Sequence, residues 1–585
     1  VGFAVPRGVE RKGKDVNQQT TGKLLSLEEA VKRFVRPRMR LHLAGGIGGP
    51  SAAICEILRQ YSGSQPDFEL IQSTVTGHST NLIHAGLVKK MVFSACMEIS
   101  ETAHPSQVMQ RVYAAGKVEL ENWSLLSLQQ RLMAGALGVG FLPTRSLVGS
   151  SVATDNRESF LEMNDPFDQE ETVGILKASN PELSIVHGCA ADEFGNTILP
   201  VPYGDDIWGS LASLEGVLVT VEKIVSSDII RKYASLVKIS GSMVKAVCLA
   251  PLGVHPFSLP SPITDVVEPY ETDTEFLSGL REASSDPRML DQWLNDWVIQ
   301  CRTQNHYIEK LGTQKIRSLK TSAGGIPSLN KRMDQTFPQT PIDSYTRSDM
   351  VLIVAAREIV DSVVKSNYKT MLVGAGSWSR AARLAYHELI RRGYDIELIT
   401  GNGQIGYIPQ PGESSTQAVS GVYSANMLTD TITTHGVFVG GKNSRCLSVL
   451  GAGQVDKYGN INSSRTSEGD FLVGTGGAND AANASEVILI LHQSRTRFVE
   501  TLPYVTARGD KVSKVISTLG VFRKSPGQAE LLLVACIPDP EGTSLEAKIK
   551  DIESRCIWRF KRAERIDFLA GPTNDELYML RNLYN

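Results

Sequence analysis

Several glycine-dense stretches supply the first candidate chemistry. Gly45-Gly46-Ile47-Gly48-Gly49-Pro50 and Gly374-Ala375-Gly376-Ser377 each follow a short apolar run and precede a helical stretch. Glycines in such a turn let backbone amides at a helix start approach an anion or a developing oxyanion. The same turns serve equally well as tight strand-to-helix connections, and neither fits a Rossmann fingerprint or a Walker loop. The stretch Phe471 to Asp480 sets Gly474, Gly476, Gly477, Ala478 and Asn479 after an apolar run, a pattern of accessible amides that reads as a ligand loop. Arg145, among the small residues of Leu142 to Ser150, is placed to meet an anion. His78, in Thr76-Gly77-His78-Ser79-Thr80, is expected to face a crevice, where it can polarise a carbonyl, relay a proton or serve as a structural hydrogen bonder. His104 and His435 are weaker candidates. No His, Cys and carboxylate cluster has metal-site spacing, so no metal is expected.

The elements that must position these residues read as α/β. Both halves alternate short β-branched runs with helical stretches and glycine turns, which argues for parallel units. Strand candidates are Leu41–Leu43, Leu70–Gln72, Ile185–His187 and Val217–Val221, then Met371–Val373, Glu397–Ile399, Val437–Val439 and Val487–Leu491. Lys315 to Tyr345 is rich in Ser, Pro and Gln without apolar period and reads as a poorly packed linker between domains 1–314 and 346–585. An internal repeat supports this division. In each half a strand runs into a glycine turn and a helix, then a Glu-Leu-Ile strand (Glu69–Ile71, Glu397–Ile399), and later Asp-x-x-Gly-Asn (Asp192–Asn196, Asp456–Asn460). Two related open α/β domains in tandem follow, with the active site expected in the crevice at the carboxyl ends of the strands.

A chain of 585 residues exceeds one core. A net charge of -3 calls for neither a nucleic acid nor an anionic membrane, and no apolar run is long enough to span a bilayer. The eight cysteines form no C-x-x-C pair, and several sit in apolar runs as buried thiols do, so a reducing cytoplasm is expected. The chain begins at Val1, so its natural start is expected upstream.

Taken in order, the motifs resemble class I coenzyme A-transferases of the glutaconate type. The resemblance of the first half to the A-type polypeptide rests on Gly45–Pro50, Trp123–Gly140, Phe141–Arg145, Val219–Val225 and Gly253-Val254-His255-Pro256. Gly453 to Ser463, Gly474 to Asn479, Arg497-Phe498 and Tyr504-Val505-Thr506 resemble the B-type polypeptide, so the chain reads as an A–B fusion. The resemblance implies a coenzyme A-transferase fold in each half, an acyl-coenzyme A substrate and a nucleophilic glutamate on the turn after the Glu397–Ile399 strand. Here that turn reads Ile399-Thr400-Gly401-Asn402-Gly403, and Gly401 takes the glutamate's place without a side chain to attack. A decarboxylating relative carries cysteine there, which this chain also lacks. A slip of register would bring in Glu397 instead. Some relatives carry a first-half glutamate near the crevice, and Glu98 in Phe93 to Ile99 falls at that place as a general base, or as a surface residue.

The resemblance therefore implies an enzyme on the thioester of a dicarboxylic or β-keto acid. Hydrolysis, C–C cleavage or decarboxylation is expected, with Glu98 and His78 catalytic and Arg145 on a distal carboxylate. Gly46, Gly48, Gly401, Asn402, Gly403 and the Gly474–Asn479 loop are expected to hold the thioester. Coenzyme A and an acyl-carrier arm both remain open as the thiol carrier, and a homodimer is open as well. The alternatives are a true transferase with a relocated glutamate, and a thioester-binding protein without catalysis.

Overall fold

In the computed structural model the described residues are 22–584, apart from 46–47, 100–102, 262–264, 325–343, 375, 411–418, 467, 469 and 526. The first half opens with β1 (Arg40–Leu43), β2 (Phe68–Val75) and β3 (Val88–Ile99). A small antiparallel sheet follows, made of β4 (Phe141–Thr144), β5 (Phe160–Asp165) and β6 (Asp168–Lys177). Then β7 (Leu183–Ala191), β8 (Val217–Ile224) and β9 (Val244–Leu249) complete the main sheet, where β2–β1–β7–β8–β9 run parallel. In the second half β10 (Thr370–Val373), β11 (Glu397–Ile399), β12 (Cys446–Gly451), β13 (Glu486–Leu491) and β14 (Val512–Ser517) run parallel in the order β11–β10–β12–β13–β14.

The two orders are the same order, and the repeat is a structural one. Arg40 pairs with Glu69 and Leu41 with Leu70, while Thr370 pairs with Glu397 and Met371 with Leu398. In both Asp-x-x-Gly-Asn turns the aspartate Oδ1 accepts the amides two and four residues on, in Asp192 from Phe194 and Asn196 and in Asp456 from Tyr458 and Asn460. Gly195 and Gly459 take the positive φ that closes such a turn, 94° and 75°. The near-continuous apolar strands are those of a sheet covered on both faces.

Two expectations need correction. Val437–Val439 is not a strand but the end of a π-helix, Ile432–Val439, started where the Asp430 carboxylate accepts the Thr433 amide at 2.7 Å. A short apolar run has the same composition in a buried helix as in a strand, and periodicity does not separate them. The linker's first residues are also ordered: Thr313–Ser322 is helical, and its Leu319 is buried against Leu252, Val254, Leu259 and Tyr270. Residues 325–343 lie outside the described residues.

Candidate active site

The seam between the halves is made by the end of β3 and the loop before Asp480. Cys96 N donates to Val473 O at 2.9 Å, Ala95 bridges Gly474, and Gly476 N donates to Ser94 O at 2.9 Å. Asn122 Oδ1 accepts from both the amide and the hydroxyl of Thr475, at 2.9 and 2.6 Å. The loop's donors at Gly476 and Thr475 are therefore occupied by the first half, and the reading of Gly474–Asn479 as an open cradle of amides does not hold for them. Its glycine need is steric: Gly474 has φ of 90°, and a Cβ there would stand 2.6 Å from Ser94 O. Asn479 is likewise engaged, accepting from Leu147 N at 2.8 Å and donating to Thr506 O at 2.9 Å. Ala478 opens the short helix Ala478–Ala481, its amide donating to Thr475 O.

A cavity of about 110 Å³ opens at the carboxyl ends of β1 and β11, lined from the first half by Gly45, Gly48, Tyr203 and Asp205, and from the second by Asn402 and Gln404. Gly48 stands three residues before helix α1 (Ser51–Tyr61), whose Ser51 and Ala52 amides donate to Gly49 O and Gly253 O at 2.7 and 3.0 Å, which leaves the dipole of the helix rather than these amides to act on a bound oxygen. Gly46 lies outside the described residues. Gly403 serves the turn itself, with φ of 108° and Thr429 O only 2.3 Å from where its Cβ would lie. Beneath the cavity Glu222 ties two of the sequence motifs together. Its carboxylate accepts from Leu252 N at 2.8 Å, Gly253 N at 3.1 Å and Tyr270 at 3.0 Å, and meets His187 Nε2 at 3.0 Å. Burial pushes this carboxyl up, but those donors outweigh it and hold it below its ordinary value.

Asp205 is the residue that sequence reasoning missed. It is 6% exposed and comes from a Pro-Tyr-Gly-Asp loop of the first half. Its Oδ1 accepts from the Thr431 hydroxyl of the second half at 2.9 Å, and Ser73 at the end of β2 supplies a further side-chain donor. Thr431 Oγ1 also stands 3.3 Å from Gly401 O, so Asp205 is one hydroxyl away from the turn that holds Gly401. Burial pushes the Asp205 carboxyl up to about 6, with Asp430 adding repulsion and the two hydroxyls opposing it.

Gly401 faces a histidine. A Cβ on Gly401 would stand 2.8 Å from His435 Nε2, and one on Gly477 would stand 3.2 Å from the same atom. The imidazole thus fills the space that any side chain at 401 would need. His435 is 2% exposed and neither ring nitrogen has a hydrogen-bond partner among the described residues. Burial pulls it below its ordinary value, while Asp480 opposes. It sits in a π-helical turn, where Gly440 N donates to His435 O at 2.9 Å; such turns recur at functional sites. Asp480 is held by Ser146 and by Leu126 N, the latter at 2.9 Å, at the start of helix α2 (Leu125–Leu137). His435, Asp480 and Arg145 line a second cavity of about 340 Å³, with Arg145 at its rim and 3.2 Å from Glu171.

Glu98 and His78 are placed elsewhere. Glu98 lies at the end of β3 and is 7% exposed. Its Oε1 accepts from Gln107 N at 2.7 Å, and its Oε2 has Arg281 at 4.0 Å, so these partners all belong to the first half. Burial raises this carboxyl, with the Gln107 amide opposing. His78 does not face the crevice: its ring packs on Phe276 and Trp293 at 6.2 and 5.8 Å, in an aromatic cluster of the first half. Burial pulls it down to about 3, which suits a neutral core histidine. Glu397 is excluded as a crevice residue by register: it stands opposite Thr370 at the start of β11 and accepts from Asn426 at 2.9 Å. All eight cysteines are free and buried, no group of His, Cys, Asp and Glu among the described residues can hold a metal, and no helix there is long and apolar enough to cross a membrane.

An interdomain cleft between two repeated parallel sheets, with a glycine turn and a helix start on one side, is a place where α/β proteins hold ligands. Residues 24–250 match the family described as coenzyme A transferase. The chain is 30% identical over 270 residues to the B-type polypeptide of 3-oxoadipate CoA-transferase from Pseudomonas knackmussii, covering 41% of this chain and 94% of that one. It is 25% identical over 337 residues to the A-type polypeptide of glutaconate CoA-transferase from Acidaminococcus fermentans, covering 54% of this chain and 98% of that one. The crystal structure of an acyl-CoA transferase from Escherichia coli O157:H7 shares the fold at 16% identity, with a TM-score of 0.64 over 94% of this chain and 95% of that one. The protein belongs to the coenzyme A transferase family, and the family's substrates are thioesters of coenzyme A.

Proposed function

We propose that this chain acts on an acyl-coenzyme A thioester in the cleft between residues 1–314 and 346–585 without passing through a glutamyl thioester. The observation that carries the reading is Gly401 with His435 in the space of its missing side chain. With no carboxylate on that turn the glutamyl thioester of a transferase cannot form there, which favours reactions that need none: attack of water on the thioester or on a C–C bond, or loss of CO2 with the thioester kept intact. Hydrolysis, C–C cleavage and decarboxylation meet this condition. Asp205 is the proposed general base: it lines the cavity, its carboxyl is raised to about 6, and Thr431 and Ser73 hold it in place. The helix start behind Gly48 is the proposed support for the thioester oxygen. Arg145, at the rim of the His435 cavity, suits a distal carboxylate of a dicarboxylic or β-keto substrate.

Glu98 is a second candidate base, favoured by its burial and raised carboxyl. The test is mass spectrometry of the protein with a panel of acyl-coenzyme A thioesters, with and without acceptor acids and hydroxylamine. Product without acceptor, no hydroxylamine-sensitive adduct, and turnover lowered about 100- to 10,000-fold in Asp205→Asn are expected. The same loss in Glu98→Gln with Asp205→Asn unaffected would move the base to Glu98. An adduct on a glutamate together with an acceptor requirement would overturn the reading in favour of a transferase.

A further inference from the structure

Five histidines are buried, and His435 differs from the other four. His42, His78, His187 and His255 each bond through at least one ring nitrogen, at 2.8, 3.5, 2.9 and 2.6 Å. His435 is as deeply buried, yet neither its Nδ1 nor its Nε2 has a partner among the described residues. A buried polar group left unpaired is costly, and the few that native proteins keep call for a reason in their surroundings. Those surroundings are the cavity of about 340 Å³ that runs out to Arg145. The other polar side chains of its wall already have partners. Thr144 donates to Gln130 Oε1 at 2.7 Å, Asp480 accepts from Ser146 and from Leu126 N, and Asn483 donates to Asn479 O at 3.2 Å. Asp165 accepts the Phe167 amide at 2.8 Å, and Arg145 donates to Glu171 at 3.2 Å. Among the described residues of this wall, the imidazole alone is left to bond what enters.

Position and charge narrow what that is. The Nε2 edge of the ring stands against Gly401, at the turn after β11, and against Gly477. The ring therefore borders the turn near which the acyl group is proposed to react, while Arg145 stands further out at the rim. Burial outweighs Asp480 and holds the imidazole below its ordinary value, so at neutral pH it is uncharged, with one N–H to donate and one bare nitrogen to accept. With Asp480 beside it, a second carboxylate at this depth would meet like charge; a carboxylate belongs at Arg145. An uncharged keto or hydroxyl oxygen meets no such repulsion and accepts the N–H.

We infer that His435 is a specificity-determining residue, which hydrogen-bonds an uncharged keto or hydroxyl oxygen on the acyl chain just beyond the thioester. This rests on the proposed reading that the cleft takes an acyl-coenzyme A. A site built to bond such an oxygen rejects the analogue that lacks it, because the buried group is then left unpaired. Coenzyme A thioethers test this without turnover, since a thioether has no acyl group to release. S-(3-oxobutyl)-, S-(3-hydroxybutyl)- and S-butyl-coenzyme A differ at one carbon only, and isothermal titration of the full chain measures their affinities. The wild type should bind one of the oxygen-bearing compounds about 10- to 100-fold more tightly than S-butyl-coenzyme A, and the tighter of the two identifies the oxygen as keto or hydroxyl. His435→Phe keeps an aromatic ring and removes both nitrogens, so the preference should vanish while S-butyl-coenzyme A binds as before. His435→Leu gives the same comparison without a six-membered ring against Gly401, and circular dichroism checks the fold of both. Equal affinities for the three compounds in the wild type overturn this inference alone, as does a preference that survives in both variants. No binding of any of the three overturns the reading of the cleft itself and this inference with it.

Discussion

Asp205→Asn separates what this carboxyl does for the reaction from what it does to the fold. In the folded protein burial pushes it up from an ordinary value of 3.8 to about 6, outweighing the hydroxyls of Thr431 and Ser73. A carboxyl raised on folding binds its proton more tightly in the folded than in the unfolded state. Stability is then highest below the unfolded value and falls as the pH rises through the window up to the folded one. A difference of roughly two units at 1.36 kcal/mol each amounts to about 3 kcal/mol lost across that window. Asparagine does not titrate, so the variant escapes this loss. It bears a separate, pH-independent cost of about 1–3 kcal/mol if its NH2 finds no acceptor where the carboxylate only accepted. The slope is therefore the diagnostic quantity, and the offset is not. Melting temperatures of variant and wild type, taken from about pH 4.5 to about pH 7.5, should diverge by about 2 °C in the variant's favour for a chain of this length. Meanwhile kcat/KM of the wild type should rise through an ionisation near about 6, and that limb should vanish in the variant. Parallel melting curves at all pH values would refute the raised carboxyl and remove the reason for choosing Asp205 as the base.

Gly401→Ala should destabilise by about 1–3 kcal/mol, because its methyl meets His435, and should be near neutral in a His435→Ala background; chemical denaturation of the four chains measures the coupling. By the same geometry, Gly401→Glu should form a hydroxylamine-sensitive thioester adduct only when His435 is also shortened, which mass spectrometry reads directly. Gly474→Val should lower the melting temperature far more than Gly476→Val, since a Cβ at 474 meets Ser94 O at 2.6 Å while one at 476 meets only Ala95 Cβ at 3.8 Å. Native protein treated with iodoacetamide should keep its thiols unmodified, because burial pushes Cys55 and Cys96, among others, up to about 12.

The fold is largely legible in the sequence because its signals are local and repeated. Glu69–Ile71 and Glu397–Ile399 announce equivalent strands, and the registers Arg40–Glu69 and Thr370–Glu397 bear that out. The two Asp-x-x-Gly-Asn turns follow from backbone chemistry that a short segment contains in full. The site is less legible because its residues meet only in space. Asp205 draws its meaning from Thr431, more than two hundred residues away, and from burial that no local pattern reveals. His435 stands out little in the sequence, and the run after it reads as a strand until Asp430 is seen to start a helix. Gly474 and Gly476 invite a reading of what their amides could bind, yet the first half already occupies the Gly476 amide and crowds the Gly474 backbone. Glycine content alone does not separate a ligand loop from a tight seam.

The seam and the cleft are one construction. Asp480 of the second half accepts the amide of Leu126 at the start of a first-half helix, where a carboxylate is well placed on the dipole. The same Asp480 is the charge nearest in effect to His435, and a Cβ on Gly436 beside it would touch Leu126 of the first half. In the other direction Asp205 of the first half takes the Thr431 hydroxyl, while Tyr203 N and Gly204 O bond Thr429 O and Thr431 N. Thr431 of the second half thus holds Asp205 of the first, Leu126 and Ser146 of the first half hold Asp480 of the second, and both cavities take their walls from both halves. The glycine at 474 lets the two backbones come close enough for this exchange of contacts, since a Cβ there would stand 2.6 Å from Ser94 O. A substitution at the seam should therefore act on the cleft through the placement of Asp205 and His435, even where it touches no substrate.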